Sequence, residues 1–423
     1  MASRKTQPLP KRAQMNEENP KVRPLEAFPV QISGREMIGI KDPTGISPDV
    51  IFVPLEAFFL ISMMDGTNSL RDLQAAYMRK YGQLLFSEKL EELIEQLNSH
   101  YLLENNRFRD QLRRLQGEFK EAKIRKAAFA GKGYERDPER LKAQLREYFI
   151  GDEGPGLPEK EGAKKEVRGI VAPHIDFARG GTCYAYAYKA LGESIGADLY
   201  MILGTCHTPM EKPFAFTLKA FETPLGETEV EEDLIEEVAQ QLPFDPFLDE
   251  FSHRHEHTIE FQLLFLQFLW GGEKDFKIFP ILCGSFQGMI QRGISPMEDP
   301  LYQESISILK EALSQLPHIS IIASADLAHV GPQFGGAQTV TSGVLVKTKV
   351  EDLEMLKYVE QLNGEGFYQF ILRERDRRNI CGLPPIYALL SLIRAQKGEL
   401  LRYQQWHDPH GIAAVTFASM AFF

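Results

Sequence analysis

"FSHRHEHTIEF", residues 251–261, crowds His253, His255 and His257 around Glu256. Imidazole and carboxylate hold borderline divalent metals, and imidazole also moves protons near neutral pH. His253 to His257 further fits the H-x-x-E-H spacing of inverted zinc proteases, where two histidines four residues apart on one helical face hold zinc beside a glutamate base. The pattern places the helix later. Thr258 is a good N-cap, Glu260 suits the first turn, and Ile259, Leu263, Leu266 and Trp270 form an apolar face. His253 to His257 then fall in the preceding loop, and a zinc hydrolase working through Glu256 loses its two-ligand helix.

Chemistry-bearing residues also close four apolar runs of strand length. "VRGIVAPHID" ends in His174 and Asp176, "DLYMILGTCH" in Cys206 and His207, "FKIFPILCGS" at Cys283, and "ISIIASADLAH" in Ser324, Asp326 and His329. Runs that do not alternate signal strands buried on both faces. Helical patterns lie between them, at about 181–195, 230–241, 258–270 and 302–315. The alternation predicts an α/β fold with a mixed, largely parallel sheet covered by helices. Ligands bind beyond the carboxyl ends of such strands. His174, His207, His257, Asp326 and His329 are therefore expected around one cleft. Two histidines with one carboxylate would suit non-haem iron, and the same groups without metal would suit acid/base work.

Other residues read more plainly. Cys206 and His207 are neighbours on a strand and point to opposite faces. Cys183 and Cys283 are expected as small packed hydrophobes, Cys381 and Gly382 as part of a turn before a buried helix, and His407 and His410 as exposed loop residues. The four cysteines form no C-x-x-C pair, which fits reduced thiols.

Across the 423 residues the net charge is −11, which argues against nucleic-acid binding, a task that needs clustered basic surface. The first residues contain no apolar signal core. The longest apolar run, "FQLLFLQFLW", is broken by Gln and far short of a membrane span. A cytoplasmic protein with no membrane partner is expected.

Residues 1–28 read as a polar tail. Residues 29–108 read as a small winged-helix domain: strands at "VQISG", "EMIGI" and "DVIFVP", three helices, the second capped by Asn68 or Ser69 and ended at Gly82, and a closing strand at "YLLENNRF". Residues 109–165 are strongly charged and read as a helical connector and linker, with the α/β domain occupying 166–423.

Two resemblances add to this. "DPTG", "DVIFV", "MDGTNSLRDL" and "YLLEN" resemble the PqqD-like family of peptide-binding winged helices, which implies capture of an extended peptide by strand addition. "VAPHIDFARGG", "LGTCHTP", "HRHEHTIEFQLLFLQ", "IFPILCGSF", "ASADLAHVG" and "NICGLPPIYALL" are similar, in order and spacing, to the Memo-like family, also called AmmeMemoRadiSam system protein B. That resemblance covers residues 166–423 and implies a fold like that of class III extradiol dioxygenases, which are non-haem iron enzymes, and a radical-SAM-system protein as a neighbour. It places metal-binding histidines at His174 and His207. Its third ligand position falls on Ala328, which has no donor atom, so either Asp326, His257 or Cys206 completes the site, Asp326 being the first expectation, or metal binding is weakened. His257, His329, Glu256 and Asp176 are the expected acid/base or neighbouring groups. The resulting expectation is an iron- or copper-dependent redox enzyme or accessory factor acting with a peptide or protein partner. The other reading is a non-catalytic peptide-binding scaffold with a degenerate metal site.

Overall fold

The computed structural model describes residues 19–47, 49–159, 166–272, 274–316 and 318–423. They divide into two compact units at Glu118/Phe119.

The first unit opens with an antiparallel sheet of β1 (Glu26–Ile32), β2 (Arg35–Lys41) and β3 (Ile51–Pro54), followed by α1 (Leu55–Ser62), α2 (Leu70–Tyr81), α3 (Ser87–Ser99) and the start of α4 (Asn106–Glu121). Sequence chemistry explains α2 closely. Ser69 caps it in a reciprocal capping box with Asp72, and Gly82 ends it at φ +68°, where a side chain would be strained. Ile40, Val53, Leu60, Leu73, Ile94 and Leu97 form its core. The expected tail divides: residues 1–18 lie outside the described residues, whereas Val22 bridges Leu103 and the buried Arg23 guanidinium meets Asp42 at 2.9 Å. The closing strand expected at "YLLENNRF" is reduced to that single bridge, and the chain enters α4 at Asn106.

The second unit starts with β4 (Ile124–Arg125) and α5 (Pro138–Ile150), then β5 (Gly169–Ala172), α6 (Phe177–Gly192), β6 (Leu199–Thr205), β7 (Phe214–Phe216), β8 (Ala220–Thr223), β9 (Gly226–Thr228), α7 (Glu232–Gln241) and α8 (His257–Trp270). It continues with β10 (Lys277–Cys283), α9 (Gln287–Arg292), α10 (Pro300–Ser314), β11 (Ile319–Ser324), β12 (Asp326–Val330), α11 (Ser342–Glu360), α12 (Gly364–Arg373), α13 (Leu383–Leu392), β13 (Gly398–His407) and β14 (Ala414–Phe422). Counted over the described residues, the main sheet has eight strands in the order β12-β14-β5-β11-β6-β10-β7, with β13 paired to β14. β5, β11, β6 and β10 run parallel, and the flanking pairings are antiparallel. This is the mixed, largely parallel sheet that the uninterrupted apolar runs predict, since β5 and β6 are buried at every position.

Residues 119–150, read from sequence as connector, lie inside this second unit. Tyr134, Leu141, Leu145 and Phe149 are buried in its core. Their high charge misleads because α5 shows only one face to the core and the rest to water, the ordinary amphipathic arrangement. Residues 160–165 of the expected linker lie outside the described residues.

Candidate metal centre

Parallel register brings the carboxyl ends of the central strands side by side: Ser324 of β11 pairs with Ala172 of β5 and with Gly204 of β6, and Thr205 of β6 pairs with Cys283 of β10. The chain leaves β5 into His174, β6 into His207 and β11 into Asp326. The start of α8 faces these ends and is stitched to them. The Thr258 hydroxyl donates to the Thr205 carbonyl at 2.9 Å, and the Gln262 amide donates to the Pro173 carbonyl and the Ser324 hydroxyl. Gly204 permits the approach, because a Cβ there would sit 2.6 Å from the Thr258 hydroxyl.

Three imidazoles converge. One ring nitrogen from each of His174, His207 and His257 can be chosen so that all three lie within 4.8 Å of one another. Each Nδ1 has a partner that sets the tautomer. His174 Nδ1 lies 3.1 Å from the Ser324 carbonyl, an acceptor only, so it carries the proton and Nε2 keeps its lone pair. His207 and His257 each place Nδ1 3.1 Å from Glu256 Oε1. An ionised carboxylate also only accepts, so the same tautomer follows for both.

Glu256 is the hinge of this arrangement. It is the N-cap of α8, accepting the backbone N–H groups of His257 and Thr258, and it also accepts the His207 N–H at 2.9 Å. Burial alone would raise its pKa, but the imidazoles of His207 and His257 outweigh burial and hold its carboxyl well below the usual range. Burial, aided by the two neighbouring imidazoles, pushes His174 well below the usual histidine value. A neutral His174 is the ligand form.

Two further groups border the cluster. Cys381 Sγ lies 3.2 Å from His174 Nε2. It sits before Gly382, where a Cβ would come within 2.3 Å of the Asp326 carbonyl, so only glycine lets this turn press onto the strand end. Asp326 Oδ2 lies 3.6 Å from His174 Nε2 while Oδ1 accepts the His174 N–H at 2.9 Å. Burial pushes the Asp326 carboxyl up to about 7 against the pull of the backbone N–H groups of His174 and Ile175. Burial also drives the Cys381 thiol well upward.

The donor set fits a transition metal. Histidines tied at Nδ1 by a carboxylate or carbonyl are the usual outer arrangement around metal-bound imidazole, and imidazole with a thiol suits copper, iron or zinc. Of the residues expected as ligands, His174 and His207 come together, and the third member of the group is His257, expected as an acid/base residue. Asp326 stays outside that group as a near neighbour. Ala328 is buried and gives only its N–H, to Thr416 Oγ1.

The remaining expected residues stand apart. His329 places Nδ1 3.2 Å from the Leu327 carbonyl and its ring edge-on to Phe334, and burial lowers it to about 4. Asp176 caps α6 and pairs with Arg179. His253 lies in a 3-10 turn, Glu250–His255, with Nε2 3.0 Å from the Ala215 carbonyl, so no helix carries it and His257 on one face. The expected N-cap shifts from Thr258 to Glu256, because a carboxylate there accepts more N–H groups than a hydroxyl can.

Two residues escaped the sequence reading. Cys381 looked like a turn residue, and its signal was only a thiol just ahead of a Pro-rich helix start. Arg125 lay in the apparent connector. It is fully buried, donates to the carbonyls of His253 and Glu256 at 3.0 and 2.7 Å, and pairs with Glu260, which also accepts the Ala128 and Phe129 N–H groups. Nothing local in the sequence distinguishes it from the surface arginines around it.

Residues 125–421 match the family described as Memo-like protein, a span that begins at Arg125. A MEMO1 family protein of Aquifex aeolicus is 28% identical over 407 residues, covering 96% of this chain and 100% of that protein. One from Sulfolobus acidocaldarius is 30% identical over 297 residues, 68% of this chain and 94% of its own length. MK0963 of Methanopyrus kandleri, also a MEMO1 family protein, is 29% identical over 293 residues.

Proposed function

The chain belongs to the Memo-like protein family, and from that premise we propose that its α/β unit holds an iron or copper ion for a redox or accessory role, acting on or with a peptide or protein. His174, His207 and His257 would hold the ion, with Cys381 as the adjoining soft donor. When bound, such an ion supplies one-electron or Lewis-acid chemistry.

The chain's own residues supply the rest. Glu256 fixes the orientation of two imidazoles at once, and the Ser324 carbonyl fixes the third. Asp326, with a carboxyl that titrates near neutrality beside His174, can hold or release a proton there. The first unit, with its antiparallel sheet and resemblance to peptide-binding winged helices, is the part suited to receive a peptide partner.

The observation that carries the reading is the convergence of three imidazoles whose Nδ1 atoms are all committed elsewhere. Purification without oxygen, followed by metal analysis of wild type and the His174→Ala/His207→Ala variant, tests it. Stoichiometric iron or copper in wild type, lost from the variant, is the expected result. A metal-free wild type that resists reconstitution sinks the idea.

A further inference from the structure

Beyond the ends of β6 and β10 a cavity of about 180 Å³ opens against α9 and the turn leading into α13. His207 and Cys381 line it, with Phe286, Ile290, Leu383 and Asp376. That volume suits one ring-sized group, since a dry cavity of roughly 150 Å³ takes up benzene. Phe286, Ile290 and Leu383 make much of its wall apolar, so a hydrocarbon body gains by leaving water there.

Asp376 breaks the apolar character. Its Oδ1 accepts the Ile380 N–H at 2.8 Å, and among the described residues no cation stands within ion-pairing distance of its carboxylate. Arg378, two residues on, is committed to Asp352 and Glu374. Burial pushes the Asp376 carboxyl up to about 6, which leaves it ionised above neutrality. Asp376 and Asn379 also hold left-handed backbone, at φ +49° and +50°, a conformation that concentrates at ligand clamps. A partly buried carboxylate at the edge of an apolar cavity, with no ion-pair partner among the described residues and only the more distant Arg378 acting on it, is a recognition element for a cation.

We propose that this cavity binds a small primary amine with one aromatic or branched alkyl body, its ammonium on Asp376 and its body against Phe286, Ile290 and Leu383. The proposal rests on the metal reading only in making the bound amine a neighbour of the metal ligands, since binding itself needs no ion.

Titrations of the full chain with benzylamine and with its neutral counterpart benzyl alcohol, followed by calorimetry at about pH 7.5, test it, with metal content measured on the same samples. Benzylamine is expected to bind roughly tenfold tighter or better, the scale of one charge-assisted hydrogen bond. Asp376→Asn is expected to erase that preference. Asn tolerates left-handed backbone and keeps the oxygen that accepts the Ile380 N–H, so the turn is preserved. Ile290→Trp, which fills the cavity, is expected to weaken both probes, with an unchanged melting curve for either variant confirming the fold. Equal affinity for the two probes, no binding of either, or an amine preference that survives Asp376→Asn overturns the proposal. Asp376-dependent binding by a chain that takes up no metal would overturn the metal reading and keep this one, and metal uptake without amine preference would do the reverse.

Discussion

Glu256 and Glu260 stand one helical turn apart at the start of α8, both buried and both held ionised, yet their surroundings differ in kind. Glu260 meets a guanidinium, a tyrosine hydroxyl and two backbone N–H groups, the partners of a closed lock. Glu256 meets two imidazoles and three backbone N–H groups, and each imidazole has a second nitrogen turned elsewhere. Arginine cannot give up its proton or bind a metal, whereas imidazole can do both. The same acid one helical turn apart therefore seals one layer of the fold and orients imidazoles in the other. Arg125 joins the two, because it pairs with Glu260 and donates to the Glu256 carbonyl.

The largest effect expected from breaking this contrast is on stability. Arg125→Met leaves Glu260 buried without its cation, and removing one partner of a buried pair costs ~3–5 kcal/mol. Urea unfolding measures it, and a loss below about 1 kcal/mol would mean that Glu260 finds other compensation. Glu256→Gln should act mainly on the other side of the comparison, since the amide keeps an acceptor but loses the charge that orients both rings. Metal affinity is expected to fall by roughly 10–100-fold, the usual cost of losing an outer partner of a ligating histidine. A metal titration that matches wild type would detach Glu256 from the centre.

The smallest effect is a pH signature. Burial would raise the Glu260 pKa, but Arg125 and Tyr134 more than reverse it, so the folded value lies below the unfolded one. Its contribution is then complete above the unfolded value of about 4.3 and is lost as pH falls through the lower folded value. The stability gap between wild type and Glu260→Gln should narrow in acid. If the gap stays flat from about pH 7 to 3, the stabilisation lies in packing and not in charge.

Much of the architecture was legible along the chain. Uninterrupted Val/Ile/Leu runs report strands with two buried faces, and the expected β5, β6, β10 and β11 all form. Cap chemistry bounded α2 between Asn68 or Ser69 and Gly82, and Ser69 is the cap that forms. His174 and His207 were visible because each follows such a run, and a strand end in a parallel sheet has a known destination. His257 was expected at the same cleft, but the sharing of Glu256 between it and His207 was not visible.

What the chain determined by itself is what depends on near neighbours: which runs are strands, where helices are capped, and which polar residues sit at strand ends. Tertiary structure decided which of those residues meet. Cys381 reaches His174 across 207 positions and Arg125 reaches Glu260 across 135, contacts that no local periodicity encodes. His257 joins His174 and His207 from the start of α8, a helix end held close to the strand ends at Gly204 and tied by Arg125 through Glu260. Side-chain type can be read residue by residue, whereas ligand geometry is a property of several elements packed at once.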